Sequence, residues 1–216
     1  MNKVVTGLLA VAGVVGVGVL GLIGVIAMQP SHVHVERSAV VGAAPADVYP
    51  FANDLSLWMK WNPWDAMEPS AVKTFSENPV GVGAFYTWKG EQTGSGKMTI
   101  ASTVPDQNIV YDLQFTEPFV AKADVSFTFT PDAAGTKVVW AYDADAGFME
   151  KAAGLFMDMD GMLGGDFERG LKALGPLAEA SGKERLAREA AAVAPPPAPL
   201  DAATGAVVDA LVPPAP

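Results

Sequence analysis

The chain has no cysteine among its 216 residues, which excludes a disulfide frame, a thiolate metal site and a cysteine nucleophile. Histidine is almost as scarce, with His32 and His34 the only two. Basic residues are outnumbered 14 to 24, and the formal net charge of −10 sets the partners aside that reward clustered Lys and Arg. Nucleic acid is therefore not an expected partner, and adsorption to anionic lipid by charge alone is disfavoured. There is no Ser/His/Asp nucleophilic set and no zinc spacing. The one glycine-rich candidate for a phosphate loop, Gly94-Ser95-Gly96, leads into a strand pattern instead of a helix. His32 and His34 stand two apart, so both rings fall on one strand face, but no third ligand is evident. No metal and no cofactor are expected.

Half of the chain is hydrophobic, and one block accounts for much of that. Val4 to Met28 is free of charge and would measure about 37 Å as a helix, enough to span a bilayer with some tilt. Lys3 and the amino terminus are the only charges before it, so the positive-inside tendency puts Met1 in the cytoplasm and the rest of the chain outside. The expectation is a single-pass anchor over residues 1–30 in the cell membrane. The alternative is a secreted or periplasmic protein released after Val25-Ile26-Ala27, although the apolar run far exceeds a signal h-region. No GxxxG pair occurs in the segment, so helix dimerisation is not indicated.

Past Pro30 a domain of ordinary size follows, residues 31–180. His32 to Val41 alternates as a first strand. Pro45 and Asp47 open a helical stretch with Val48, Phe51, Ala52 and Leu55 on its core face, and two short helical pieces end at Asn53-Asp54 and Asn62-Pro63. Trp58, Trp61 and Trp64 crowd into this corner, which either plugs the sheet or stacks on a ligand. Six further strand patterns come next, separated by Gly, Pro, Asn and Asp. The clearest place Ile109, Tyr111, Leu113 and Phe115, then Ala123, Val125, Phe127 and Phe129, then Val138, Trp140 and Tyr142 on one face. From Phe148 to Leu177 apolar residues recur at helical steps, among them Ala152, Phe156, Met159, Leu163, Phe167, Leu171 and Leu174. Gly161, Gly164 and Gly165 soften the middle of this expected long helix. The order of elements is α+β: a curved antiparallel sheet of about seven strands closing on a long C-terminal helix. Residues 181–216 are rich in Ala and Pro and read as a disordered or polyproline-like tail, with a fraying helical extension conceivable over 184–192.

Several stretches look like a known family. Ala44-Pro45-Ala46-Asp47-Val48-Tyr49, the segment from Trp58 to Trp64, Gly81-Val82-Gly83-Ala84-Phe85-Tyr86-Thr87-Trp88-Lys89-Gly90, Gly94-Ser95-Gly96-Lys97-Met98-Thr99-Ile100, Thr136-Lys137-Val138-Val139-Trp140 and the helix from Phe156 to Leu174 occur in one order. That order resembles the START-like (SRPBCC) superfamily over residues 32 to 180, and in particular its membrane-anchored bacterial polyketide cyclase/dehydrase-like branch. The resemblance implies a helix-grip fold with an apolar cavity between sheet and terminal helix, and it does not imply a reaction.

The resulting expectation is a domain that binds an apolar small molecule or lipid. Candidate wall residues are Trp58, Trp61, Trp88, Tyr111, Phe127, Phe129, Trp140, Tyr142, Phe156 and Met159, several of which packing alone would explain. The enzymatic alternative, a cyclase or dehydrase, would need a placed base. Asp160 lies 40° from Phe156 on a helical wheel, at the edge of the apolar stripe, and is the candidate, with a Tyr as donor. A third reading is a non-binding interaction module whose core is filled. The volume of the cavity separates it from the first.

Overall fold

The computed structural model describes the backbone of residues 3–193, and side chains from residue 15 onward except that of residue 149. Helix α1 (Lys3–Met28) is followed by β1 (His32–Val41) and four short helices, α2 (Pro45–Val48), α3 (Pro50–Asn53), α4 (Leu55–Trp58) and α5 (Pro63–Met67). Then come β2 (Val72–Phe75), β3 (Phe85–Lys89), β4 (Ser95–Val104), β5 (Asn108–Glu117), β6 (Ala121–Asp132) and β7 (Gly135–Asp145). Helices α6 (Phe148–Gly154) and α7 (Met159–Val193) complete the described chain.

The seven strands form one antiparallel sheet in the order β1-β7-β6-β5-β4-β3-β2. Their period-two alternation buries the expected face: Ile109, Tyr111, Phe127, Phe129, Val138 and Trp140 are all essentially inaccessible. A register shift between Ile100 and Ser102 bends β4 against β5, as a bulge does. The helical stretch after β1 is four pieces, not two. Pro45, Pro50 and Pro63 each start a new helix at its first turn, and Asp54 and Asn62 cap two of them by accepting from Ser56 N and Asp65 N, both at 2.8 Å. The chain turns at each cap, and this corner carries Leu55, Trp58 and Trp61 into the sheet.

The expected single helix from Phe148 to Leu177 is divided. The interruption lies at residues 155–158, ahead of the glycines. Asp158 Oδ1 accepts from Gly161 N at 2.9 Å, so the carboxylate caps the start of α7 and competes with continuation of α6. Phe156, thrown out of the stripe by that break, is 86% exposed. From Met159 the helix then runs unbroken through Pro176 to Val193, beyond the boundary expected near residue 181. Gly175, which has no Cβ to oppose a helical conformation ahead of proline, precedes Pro176. The extension is held by Arg185, whose Nε and Nη2 donate to the two carboxylate oxygens of buried Asp47 at 2.8 and 2.9 Å. That guanidinium holds the Asp47 carboxyl below the usual range. The remainder of the expected tail, residues 194–216, lies outside the described residues.

Two glycines of α7 sit where the helix approaches the sheet. A Cβ on Gly164 would fall 2.1 Å from Nη2 of Arg37 on β1, and one on Gly170 would fall 2.7 Å from Cζ3 of Trp140 on β7. Gly164 and Gly170 thus allow α7 to come close to side chains of the sheet. Gly165 meets only Arg169 Nη1 at 3.6 Å. Among the described residues no helix is long and apolar enough to cross a membrane. Much of the expected span, Val4 to Met28, lies outside the described side chains.

Candidate ligand cavity

A cavity of about 340 Å³ lies between the concave face of the sheet, the α4–α5 corner and the first turns of α7. Its inner lining is Trp58, Met98, Val125, Trp140 and Phe167, all buried. Trp140 stacks flat on Phe167 with centroids 4.2 Å apart, and Trp58 meets Trp140 edge-on at 5.3 Å. Met67, Gln92 and Met162 form an exposed rim. A volume of this size lies in the range of small-molecule sites and favours the binding reading over a filled core. A shallower groove of about 390 Å³ lies outside, between β1 and the Gly175-Pro176 segment of α7. It is open to solvent and has few side chains that could enclose a ligand.

Of the ten residues expected in the wall, Trp58, Trp88, Trp140, Tyr142 and Met159 line the cavity. The others do not. Tyr111 donates through its hydroxyl to Ala52 O at 2.7 Å, and Trp61 through Nε1 to Phe51 O at 2.9 Å. The first bond fastens the corner of short helices to the sheet, the second ties that corner to itself, and Phe127 and Phe129 are packed beneath them as ordinary core. Phe156 stands in solvent for the reason given above.

Asp160 is also outside the cavity lining. Arg37 grips it through Nη1 and Nη2 at 3.0 and 2.9 Å and reaches Glu168 through Nε at 3.1 Å. The guanidinium lowers the Asp160 carboxyl below its ordinary range, opposite to what a general base working near neutral pH needs. His32 and His34 are on the exposed face of β1, where both approach Asp143 Oδ1, at 3.2 and 2.7 Å. The hydrogen bond to Asp143 raises His34. Among the described residues no cluster of His, Cys, Asp or Glu could hold a metal ion.

One site residue has no local signature in the sequence. Glu68, 4% exposed, accepts from Glu91 N at 2.6 Å, Gln92 N at 3.1 Å, Thr93 N at 2.9 Å and Thr93 Oγ1 at 2.8 Å. These bonds, led by those of Thr93, lower its carboxyl. They hold the 90–94 turn so that Gln92 and Thr93 close one side of the mouth. Gly90 is required there, because a Cβ would come within 2.2 Å of Glu68 Oε2. At the same mouth Asp65 pairs with Lys73, and Asp166 pairs with Arg169. The charged groups of the lining, Asp65, Lys73 and Asp166, are thus each paired, the last with Arg169 outside it, and the lining contains neither histidine nor serine.

Comparison with known proteins fits this geometry. The model of the family described as polyketide cyclase / dehydrase and lipid transport matches residues 32–179, more than half of the chain. The chain belongs to that family. Solved structures share the fold. A protein from Chromobacterium violaceum superposes with a TM-score of 0.50 at 19% identity, covering 69% of this chain and 99% of its own. One of unknown function from Staphylococcus aureus gives 0.52 at 14%, covering 73% and 99%. A third, an uncharacterised protein from Rhizobium leguminosarum, gives 0.51 at 16%, covering 69% and 95%. At these identities the likeness is one of fold only. No curated protein matches the chain.

Proposed function

We propose that this member of the family is a membrane-anchored START-like domain that binds an apolar small molecule or lipid between its sheet and α7. The observation that carries the reading is the cavity itself: about 340 Å³, with an aromatic and aliphatic interior and no free base or nucleophile. Burying a ligand's apolar surface there gains roughly 25 cal/mol per Å², enough to hold it without a fixed charge. The family description covers cyclase or dehydrase and lipid transport alike, and the lining favours carriage over reaction.

The anchor is supported by residues 4–28, which carry no charge, and by Val17 and Leu20 of α1, which the domain leaves uncovered. Lys3 supports an inside amino terminus and an extracytoplasmic domain. Sheet register supports a membrane-facing mouth. His32 at the start of β1 pairs with Asp145 at the end of β7, and Phe115 near the end of β5 pairs with Ala121 at the start of β6. The 90–94 turn joins the end of β3 to the start of β4 at that same end of the sheet. The mouth and the α1 junction therefore share one end. Only Gln29, Pro30 and Ser31 separate α1 from β1, a reach of about 11 Å fully extended. Phe119 and Val120, each 77% exposed, project from the β5–β6 turn at this end, as a surface meeting lipid would require.

Native mass spectrometry of the full chain, purified in detergent and incubated with an extract of cell lipids and small molecules, should show bound adducts. A protein that stays empty throughout refutes the binding reading. For topology, a reporter fused after Pro216 should be active outside the cytoplasm, and activity confined to the cytoplasm reverses the orientation.

A further inference from the structure

Exposed apolar side chains scattered singly need no explanation, whereas several on one short segment do. Such a segment follows β7. Phe156 is 86% exposed, Phe148 51% and Met157 45%. From residue 146 to residue 157 the only charges are those of Glu150 and Lys151, which cancel. The turn of Asp158 onto Gly161 N displaces Phe156 from the helical stripe but provides nothing to cover it. What lies next to this segment is fixed by two contacts. Helix α6 packs against α1, and Ala146 N, just ahead of α6, donates to Ser31 O at 2.9 Å in the link between α1 and β1. Among the described side chains of α1, Ile26 alone is buried, at 6% exposed.

With α1 as the membrane anchor proposed above, its length sets the depth of whatever it touches. An upright helix over residues 4–28 exceeds a hydrocarbon core of about 30 Å by about 7 Å, roughly two residues at each end. Its last residues then sit at the outer headgroup boundary, and α6 beside them sits at the same level. Resting on that anchored reading, we infer that α6 and the residues through Met157 form a second, monotopic contact with the bilayer that α1 crosses. The segment lies along the outer surface, with Phe148, Phe156 and Met157 inserted toward the acyl chains. Lys151 is long enough to keep its ammonium among the headgroups. Because the segment is neutral and apolar, insertion does not call for anionic lipid, which a chain of net charge −10 would repel. Met159 and Met162, which follow directly, line the cavity, so the contact holds the mouth at the lipid surface.

The absence of cysteine makes the test direct, since a single introduced thiol takes a nitroxide label at one place only. Three variants of the full chain are labelled: Leu20→Cys in α1, Phe156→Cys in the segment, and Val104→Cys where β4 ends, away from the mouth. The three side chains are 69%, 86% and 47% exposed, so none of the exchanges disturbs the core. Each protein is reconstituted into vesicles of palmitoyl-oleoyl-phosphatidylcholine. Collisions of the label with oxygen, which concentrates in hydrocarbon, are compared with collisions with a neutral nickel chelate, which stays in water. Oxygen should prevail at positions 20 and 156, and nickel at 104. Oxygen at 20 with nickel at 156 overturns the inference and leaves the anchor standing. Nickel prevailing at 20 removes the anchor, and the second contact with it. A label at 156 shielded from both reagents assigns Phe156 to a second copy of the chain and equally overturns the inference. Oxygen prevailing at 104 as well overturns it too, because contact with lipid would then not be confined to this segment.

Discussion

Three glycines of α7, within seven residues of one another, should respond to alanine in three different ways. On an exposed helix the exchange gains about 1 kcal/mol, because glycine carries the larger entropic cost. Gly165 comes closest to that case, since its new Cβ would meet only the end of Arg169 at 3.6 Å, an ordinary contact. At Gly170 the Cβ would sit 2.7 Å from Trp140 Cζ3 and 3.3 Å from Pro63 Cδ. Ordinary contact begins near 3.4 Å, so the indole must retreat by about 0.7 Å. It has little room, because its ring is stacked on Phe167 at 4.2 Å and wedged against Trp58, Trp61 and Trp64. Overpacking of this kind costs about 1–3 kcal/mol, leaving a net loss of roughly 1 kcal/mol after the helix gain. For a domain of this size that is about 2–4 °C in Tm. Gly164 falls between, because its Cβ displaces the flexible end of Arg37 and not a packed ring. Denaturant unfolding of the full chain in detergent, read by tryptophan fluorescence, should rank the variants Gly165→Ala, then Gly164→Ala, then Gly170→Ala. A Gly170→Ala protein as stable as Gly165→Ala would show that α7 does not lie against Trp140 as described.

Replacing Glu68 by Gln should loosen the 90–94 turn, seen as faster amide exchange at Glu91, Gln92 and Thr93 while the sheet stays protected. Because these bonds lower its pKa, the contribution of Glu68 is complete above the ordinary value of 4.5 and disappears as pH falls through the lower folded value. Exchange that does not change on acidification would contradict this. For His34 the sign is opposite. Asp143 raises it from 6.5, so the contact stabilises below pH 6.5 and is lost as pH rises through the higher folded value. In an NMR titration the native His34 should have a midpoint above 6.5 that moves down in Asp143→Asn, and a midpoint indifferent to that substitution dissociates the pair.

What the sequence disclosed follows from the range over which each interaction acts. Alternation is local, and it delivered β1 at His32–Val41 and the buried faces of β5, β6 and β7. The same alternation cannot say what covers a buried face. Tyr111 and Phe127 share the inward face with Trp140 and Tyr142, but the first two lie under the corner of short helices and only the latter two reach the cavity. The helical stripe continued across residues 155–158 because apolar spacing does not register a carboxylate turning back on the backbone, as Asp158 does. Extension of α7 was hidden for a different reason. Arg185 sits 138 residues from Asp47, and the apolar pattern has ended before it. Glu68 reaches 23 to 25 residues ahead for its partners, so no neighbouring spacing marked it.

Helix α7 is fastened unevenly along its length. From Phe167 onward Leu171, Leu174 and Ala178 are buried, and the fork of Arg185 closes on Asp47 beyond them. Ahead of Phe167 the helix is tied to the sheet through Arg37, whose pairs with Asp160 and Glu168 are accessible to solvent ions. Mechanically this is a cantilever: a rooted beam with a more lightly held arm of nine residues, Met159 to Phe167, about 12 Å long. Its compliant tip overhangs the cavity mouth, and the root is held by apolar packing and by an ion pair whose carboxylate, Asp47, is buried. Ionic strength should therefore soften the tip alone, since exposed pairs are screened while the apolar root is not. The stiffness of the entrance is set by dissolved ions, and that of the floor by packing.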